Sequence, residues 1–334
     1  FACPGICDPW QARGIRHLRL YMILKSNIIG ITIGDPCGIG PEVVAKALRR
    51  FSLPADRFLI IGDYGVYRRY HPRAPKDNFW DLNNMPARKF TPGRSNPIAA
   101  RASLESIQCA IRLIREKRIT SMVTAPVSKE AISSLGVSFS GHTEYLAEAF
   151  GIKRFGMMFV TDGSPGLVMA LVTRHIPLAQ VPRAVSLGNV YETIALTFET
   201  IQKYFKIKHP RIAVCGLNPH AGEKGKIGNE ESAKIIPAIQ RADRNGMKVF
   251  GPLAADTLFS PKIASQYDGI VAMYHDQGLA PMKGLYSPKL VNLTMGLPFV
   301  RTSPAHGTAF DIAGRNLADP SSMVAAIKLA ARLG

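Results

Sequence analysis

An α/β fold on a largely parallel sheet is the class this sequence predicts, and three observations predict it. Short β-branched apolar runs recur along the 334-residue chain. Stretches with helical spacing of apolar residues alternate with those runs. The turns between them are rich in Gly, Pro, Asn and Asp, and such strand-helix alternation folds as parallel βα units.

The elements follow in order. "NIIGITIGD" (27–35) reads as a buried strand that stops at Gly-Asp-Pro. "CGIGPEVVAKALRRF" opens a helix, with Pro41 in the first turn, where its missing N–H is no loss, and Glu42 beside the positive end of the helix dipole. "DRFLIIGDYG" (56–65) is a second strand and turn, and residues 70–97, rich in Pro, Asn, Arg and Asp, read as an irregular excursion. Helical spacing returns over 99–119, and "SMVTAPVSK" (121–129) is strand then loop. "GHTEYLAEAFG" (141–151) is a loop and a helix, 156–160 and 166–173 are strands, and 184–205 is a long amphipathic helix. "PRIAVCGLNPHAG" (210–222) runs from strand into a polar turn, 229–246 is a helix stopped by Gly246, and "GIVAMYHDQG" (269–278) is strand and turn. The last helix, 321–334, takes Ser321 as its N-cap.

Composition narrows the class. The chain is 46% hydrophobic and 20% charged, as a globular protein is. No run approaches the roughly 20 apolar residues of a membrane-spanning helix. The net charge of +18 suits anionic partners, phosphorylated small molecules among them. No helix-turn-helix, zinc-finger or aromatic-basic motif accompanies it, so neither nucleic acid nor membrane is expected as a partner. Five scattered cysteines (Cys3, Cys7, Cys37, Cys109 and Cys215) suggest a reducing compartment, here the cytoplasm, rather than a disulfide framework. Residues 1–21 are Arg-rich without an apolar h-region; they read as an extension outside the fold, with Met22 as a candidate start.

Two constellations carry chemistry. His175, His220 and His275 each follow directly on an apolar strand, and ligands of α/β sheets bind beyond the carboxyl ends of strands. Three neutral imidazoles would leave coordination positions open for a substrate. The second group is basic and polar: Lys283, Asn292 and Arg301, with His142 and Thr143. Arg grips phosphate as a fork and Lys as a point charge. "GIGPE" (38–42) is a helix N-terminus with glycines, but neither G-x-G-x-x-G nor a P-loop, and a tight strand-to-helix turn accounts for it.

As a set, seven segments resemble one family. They are "ITIGDPCGIGPEVVAKAL", "VTAPVSKEAI", "FSGHTEYLAE", "VCGLNPHAGEKGKIGNEE", "GPLAADTLF", "AMYHDQGLAPMK" and "VNLTMGLPFVRTSPAHGTAFDIAGR". In order, from about residue 27 to 330, they resemble the 4-hydroxythreonine-4-phosphate dehydrogenase family of vitamin B6 biosynthesis. That family belongs with isocitrate and isopropylmalate dehydrogenases. The resemblance therefore implies two α/β domains with the active site in the cleft between them. One domain would take residues 22–130 plus 295–334 and the other 131–294, the latter carrying the metal and substrate residues.

It also implies NAD(P)-dependent oxidation of 4-phosphooxy-L-threonine to a 3-keto acid that decarboxylates to 3-amino-2-oxopropyl phosphate. A divalent metal (zinc, magnesium, cobalt or similar) would sit on His175, His220 and His275, in a site shared between the two subunits of a homodimer. Substrate contacts match His142, Thr143, Lys283, Asn292 and Arg301, with Asp256 and Lys283 beside the histidines in catalysis. Asp276 and Gln277 would support His275. "HGTAFDIAG" resembles a cofactor loop, which gives His306, Gly307, Thr308 and Ala309 to the dinucleotide. Ala305 stands where relatives often carry Asp, which leaves NAD against NADP open, and the 284–291 loop departs from the usual acidic, Gly-containing turn. A sister group oxidises 4-phospho-D-threonate or 4-phospho-D-erythronate with the same apparatus. A rival of another class is a non-redox, metal-dependent phosphate-ester binding protein or hydrolase.

Overall fold

The structure, a computed structural model, describes residues 27–51, 53–162, 166–286 and 289–334. The expected extension, with Cys3, Cys7 and Met22, lies outside the described residues.

The strands are β1 (Ile29–Thr32), β2 (Phe58–Gly62), β3 (Phe79–Asp81), β4 (Ser121–Thr124), β5 (Gly156–Thr161), β6 (Val168–Leu171), β7 (Arg211–Cys215), β8 (Lys248–Leu253), β9 (Gly269–Ala272), β10 (Leu290–Met295) and β11 (Val300–Pro304). They form one sheet in the order β3-β2-β1-β4-β11-β10-β5-β6-β9-β7-β8. Strands β3, β2, β1, β4 and β11 are mutually parallel, and so are β6, β9, β7 and β8. The two arms run in opposite directions, because β10 and β5 join them through three antiparallel pairings. The largely parallel expectation thus holds within each arm and is corrected at the seam. Strands from 27–130, with β11, build one arm; strands from 168–272 build the other.

The central strands read as continuous apolar runs because helices cover both faces. β1, β5, β6 and β9 are buried at every position, whereas the edge strand β8 is half-exposed along its length. The main helices are α1 (Gly40–Arg50), α2 (Tyr64–Tyr70), α3 (Pro97–Arg115), α4 (Lys129–Ser133), α5 (His142–Ala149), α6 (Leu187–Thr200), α7 (Ile236–Arg244), α8 (Ala255–Leu258), α9 (His275–Tyr286) and α10 (Ser321–Leu333).

Three local expectations are corrected. The 70–97 excursion contains β3, whose Phe79 and Trp80 are buried against the β2 edge. "HDQG" is not a turn: it opens α9, with Gln277 accepting the Met273 N–H at the strand end while Leu279 and Met282 are buried. Ser321 is the first residue of α10 and not its N-cap; Asp319 Oδ1 accepts the Ser321 N–H instead (3.0 Å).

The turn after β1 shows how tightly the loops at the strand ends pack. Gly34 has φ +75, and a Cβ there would stand 2.3 Å from the Pro126 carbonyl oxygen. Gly34→Ala combines a left-handed backbone with a main-chain clash, so it is expected to destabilise the fold by about 2–4 kcal/mol. A urea denaturation curve with an unchanged midpoint would count against this packing.

Candidate active site

Four neighbouring parallel strands end in titratable side chains. In the spatial order β6-β9-β7-β8, the segments that follow them carry His175, His275, His220 and Asp256. This is the position at which open α/β sheets bind ligands. The rings of His175 and His275 lie 5.5 Å apart between centroids, tilted by 45°. Burial holds the His175 pKa below its ordinary value, with help from the charges of Lys129 and His275. His275 is the first residue of α9, and its Nδ1 is 2.7 Å from Asp276 Oδ1. Gln277 ties this start of α9 to the next strand: it accepts the Met273 N–H and donates to the Gly216 carbonyl, both at 2.7 Å.

His220 is exposed and sits in a left-handed turn at φ +50. Its Nδ1 is 2.8 Å from Glu223 Oε1, and that hydrogen bond, the Glu223 charge and the Asp256 charge raise its pKa. Asp256 is exposed at the second residue of α8, where Oδ1 accepts the Thr257 N–H (2.8 Å). The structure brings His175 and His275 together and does not bring His220 into the pair. Among the described residues no three His, Cys, Asp or Glu side chains are placed to hold an ion as they stand. The donor set nonetheless fits a borderline divalent metal by chemistry. It offers three imidazoles, and on His220 and His275 a carboxylate holds Nδ1, which leaves Nε2 for a ligand.

The second group is assembled on one face of β4, β11 and β10. Arg301 pairs in register with Met122, so its side chain shares a face with Thr124 two residues on, and Thr294 lies beside it on β10. Arg301 is 3% exposed. Its Nε donates to Thr124 Oγ1 (3.1 Å), Nη2 to the same oxygen, and Nη1 to Thr294 Oγ1 (3.1 Å). The negative charge acting on it is that of Glu144, and Glu144 is paired with Arg174 (3.3 Å). Burial pushes the Arg301 pKa down to about 9. A desolvated guanidinium whose partners among the described residues are hydroxyls keeps its full appetite for an anion.

Helix α5 closes this face. Thr143 is buried, its Oγ1 3.4 Å from Thr294 Oγ1. Among the described residues, His142 Nε2 is buried without a hydrogen-bond partner, and so is Asn292 Oδ1, on the same face of β10 as Thr294. Burial holds the His142 pKa well below its ordinary value, followed by the charges of Arg301 and Lys129. An unfolded His142 would take a proton near pH 6.5, whereas the folded one resists it to lower pH. The His142 contribution is therefore full above that value and falls as pH drops below it towards the folded pKa; His175 and His306 add to the same trend, and His220, whose pKa is raised, opposes it. Denaturation midpoints above and below the ordinary imidazole pKa are expected to show the loss, and His142→Gln to reduce it.

Lys283 is exposed late in α9, and its charge lowers the His306 pKa, after burial. Lys283 is thus within electrostatic reach of the expected cofactor loop. There His306 Nε2 is buried without a partner, and Gly307 has open space around it. The Thr308 carbonyl accepts the Ile39 N–H (2.9 Å), so this loop abuts the "GIGPE" turn, and Ala309 has φ +41. An unpartnered ring nitrogen, an acceptor because Nδ1 donates to the Gly307 carbonyl (3.1 Å), and a bare glycine backbone fit a dinucleotide by chemistry.

Sequence reasoning missed Thr124, Thr294, Lys129 and Glu144. Two-residue alternation with Asn292 is the one signal that could have put Thr294 on the Arg301 face.

The family model described as pyridoxal phosphate biosynthetic protein PdxA matches residues 55–330. The chain is 44% identical over 315 residues to 4-hydroxythreonine-4-phosphate dehydrogenase of Aromatoleum aromaticum, covering 91% of this chain and 95% of that protein. It is 40% identical over 331 residues to an Oceanobacillus iheyensis protein provisionally named D-threonate 4-phosphate dehydrogenase, covering 92% and 98%. The crystal structure of 4-hydroxythreonine-4-phosphate dehydrogenase from Klebsiella pneumoniae superposes with a TM-score of 0.82 at 34% identity, covering 92% of this chain and 98% of that one.

Proposed function

The chain belongs to the pyridoxal phosphate biosynthetic protein PdxA family, and on that premise we propose that it oxidises 4-phosphooxy-L-threonine with NAD or NADP. The 3-keto acid so formed loses carbon dioxide and leaves 3-amino-2-oxopropyl phosphate. The observation that carries this reading is Arg301, a buried cation without a carboxylate partner among the described residues, on the face that also holds His142 Nε2 and Asn292 Oδ1, unpartnered among the same residues.

Each side chain then has a task. Arg301, prearranged by Thr124 and Thr294, grips the phosphate. His142 stays neutral, so its Nε2 can accept or donate one hydrogen bond beside that cation without adding charge. Asn292 Oδ1 accepts from a substrate hydroxyl or amine. Fixing the substrate at this remote end orients its reacting carbon and contributes to turnover as well as affinity. His175, His220 and His275 would hold a divalent metal, which supplies Lewis acidity to the alcohol being oxidised and to the keto acid losing carbon dioxide. His306, Gly307, Thr308 and Ala309 would hold the dinucleotide, with Lys283 close by. Asp256 faces the charge of His220.

The reading includes a homodimer in the cytoplasm. Ile176 and Leu178 support the dimer, being 36% and 69% exposed directly after His175, where a second subunit would cover them. The free cysteines Cys37, Cys109 and Cys215, all buried, support a reducing compartment. No helix among the described residues is long and apolar enough to cross a membrane.

The Oceanobacillus relative favours a second reading, oxidation of 4-phospho-D-threonate with the same residues. NADH formation with each substrate, with and without EDTA, separates the two. EDTA-sensitive reduction with the L-amino acid substrate is expected. Reduction with the D-threonate alone moves the substrate assignment, and phosphate release without any reduction sinks the dehydrogenase reading in favour of a hydrolase.

A further inference from the structure

We propose that Glu231 is a positioning residue for His220, acting by pinning the left-handed turn that presents the imidazole. Five consecutive residues of this turn, His220, Ala221, Gly222, Glu223 and Lys224, have φ of 50, 53, 78, 43 and 57. Four of them carry a Cβ that disfavours this conformation, and a run of this kind persists only where its surroundings over-determine it. His220 is exposed, and its one hydrogen bond goes to Glu223 within the same turn. The place of its ring is therefore set by the turn.

Glu231 holds the turn from inside. It is 4% exposed. Its Oε1 accepts the N–H groups of Leu217 and Asn218, both at 2.7 Å, and its Oε2 accepts from Asn218 Nδ2 at 2.9 Å. The carboxylate occupies the hollow that glycines leave open: a Cβ on Gly222 would stand 2.6 Å from Oε2, and one on Gly216 3.1 Å from Oε1. Glu230 takes a further hydrogen bond from Asn218 Nδ2 (2.8 Å), and Gln277 holds the Gly216 carbonyl from the His275 side. A buried carboxylate satisfied by N–H donors is a strong local organiser, because each of those bonds is charge-assisted. Glu231 also opens the π-turn Glu231–Ile235 that precedes α7, the kind of helix irregularity that often accompanies functional sites.

The inference rests on the reading that His220 serves a metal, and the test keeps the two apart. Glu231→Gln preserves volume but turns an NH2 group towards the Asn218 donors. In the substrate-free protein, cobalt(II) affinity read by visible absorption is expected to fall about 10- to 100-fold, the range for losing a partner that orients a metal ligand. With the metal absent, tryptic cleavage after Lys224 is expected to accelerate. In the full reaction kcat falls while KM for the phosphorylated substrate stays near wild type, because Arg301 is untouched. Glu231→Asp, which keeps the charge but draws the carboxylate one methylene away from the Leu217 and Asn218 N–H groups, is expected to give the same three effects in smaller measure and serves if Glu231→Gln does not fold. Unchanged cobalt affinity or unchanged cleavage in a folded variant overturns the positioning role and leaves the metal reading intact. A wild-type protein that binds no cobalt overturns both.

Discussion

Replacing Arg301 by Met is expected to lower kcat/KM by on the order of a thousand-fold while leaving the melting temperature of the ligand-free protein unchanged or higher. The two halves have one cause. Arg301 is buried, its partners are the hydroxyls of Thr124 and Thr294, and the nearby Glu144 is committed to Arg174. In the free protein this cation is desolvated with no carboxylate in contact among the described residues, the Glu144 charge acting only from a distance, which weakens the fold. Once a phosphate arrives, the same desolvation makes the contact strong. Truncating one side of a buried charge pair costs about 2–5 kcal/mol, and each 1.4 kcal/mol is tenfold. A Met side chain of similar reach removes the unfavourable charge and with it the grip. Arg301→Lys should recover little, since a point charge cannot replace the planar fork that the two threonines hold. Steady-state kinetics and calorimetry check this together, and inorganic phosphate should raise the melting temperature of the wild type alone. Near-normal kinetics, or a loss of several degrees in the ligand-free variant, would falsify the assignment.

Legibility in the sequence followed the physics of each feature. β1, β4 and β9 were readable because a strand buried on both faces must be apolar throughout, and α3 because its apolar spacing is helical. β3 was not: three residues on a sheet edge, inside a Pro- and Asn-rich stretch, carry no periodicity. Helix α9 was hidden by its own opening, since His275, Asp276 and Gln277 are polar and Pro281 sits within it. The strand-end positions of His175, His220 and His275 were readable from the apolar runs before them, but the order in which β6, β9 and β7 set them side by side is a property of topology alone. So is the burial of Arg301, whose partners lie 177 and 7 residues away in the chain. The turn at His220 shows the same limit. "NPHAGEKG" announces a turn, yet its left-handed course depends on Glu231, which sequence reading assigned only to a helix.

The histidine pair carries the second large effect. His275→Ala is expected to lower turnover by on the order of a thousand-fold, and EDTA to abolish NAD reduction by the wild type, because Lewis-acid assistance to an alcohol oxidation supplies several kcal/mol and 1.36 kcal/mol is tenfold in rate. His275 stands at the centre of the constellation: its ring is 5.5 Å from that of His175, its Nδ1 is held by Asp276, and Gln277 joins its helix start to the His220 loop. Partial burial and the Lys129 charge lower the His175 pKa and so favour the neutral imidazole, the form that binds metal. Asp276 is exposed, so its hydrogen bond orients the ring more than it stabilises the fold, and Asp276→Asn should reduce metal affinity with little change in melting temperature. KM for the phosphorylated substrate should hold steady in His275→Ala, whereas Arg301→Met should raise it, since the proposed function sets the two residues at opposite ends of the substrate. Metal content after exhaustive dialysis, read beside turnover, decides the point. A His275→Ala protein that retains both its metal and its EDTA-sensitive activity would remove the strand-end histidines from the chemistry and leave the Arg301 face as the only part of the site in use.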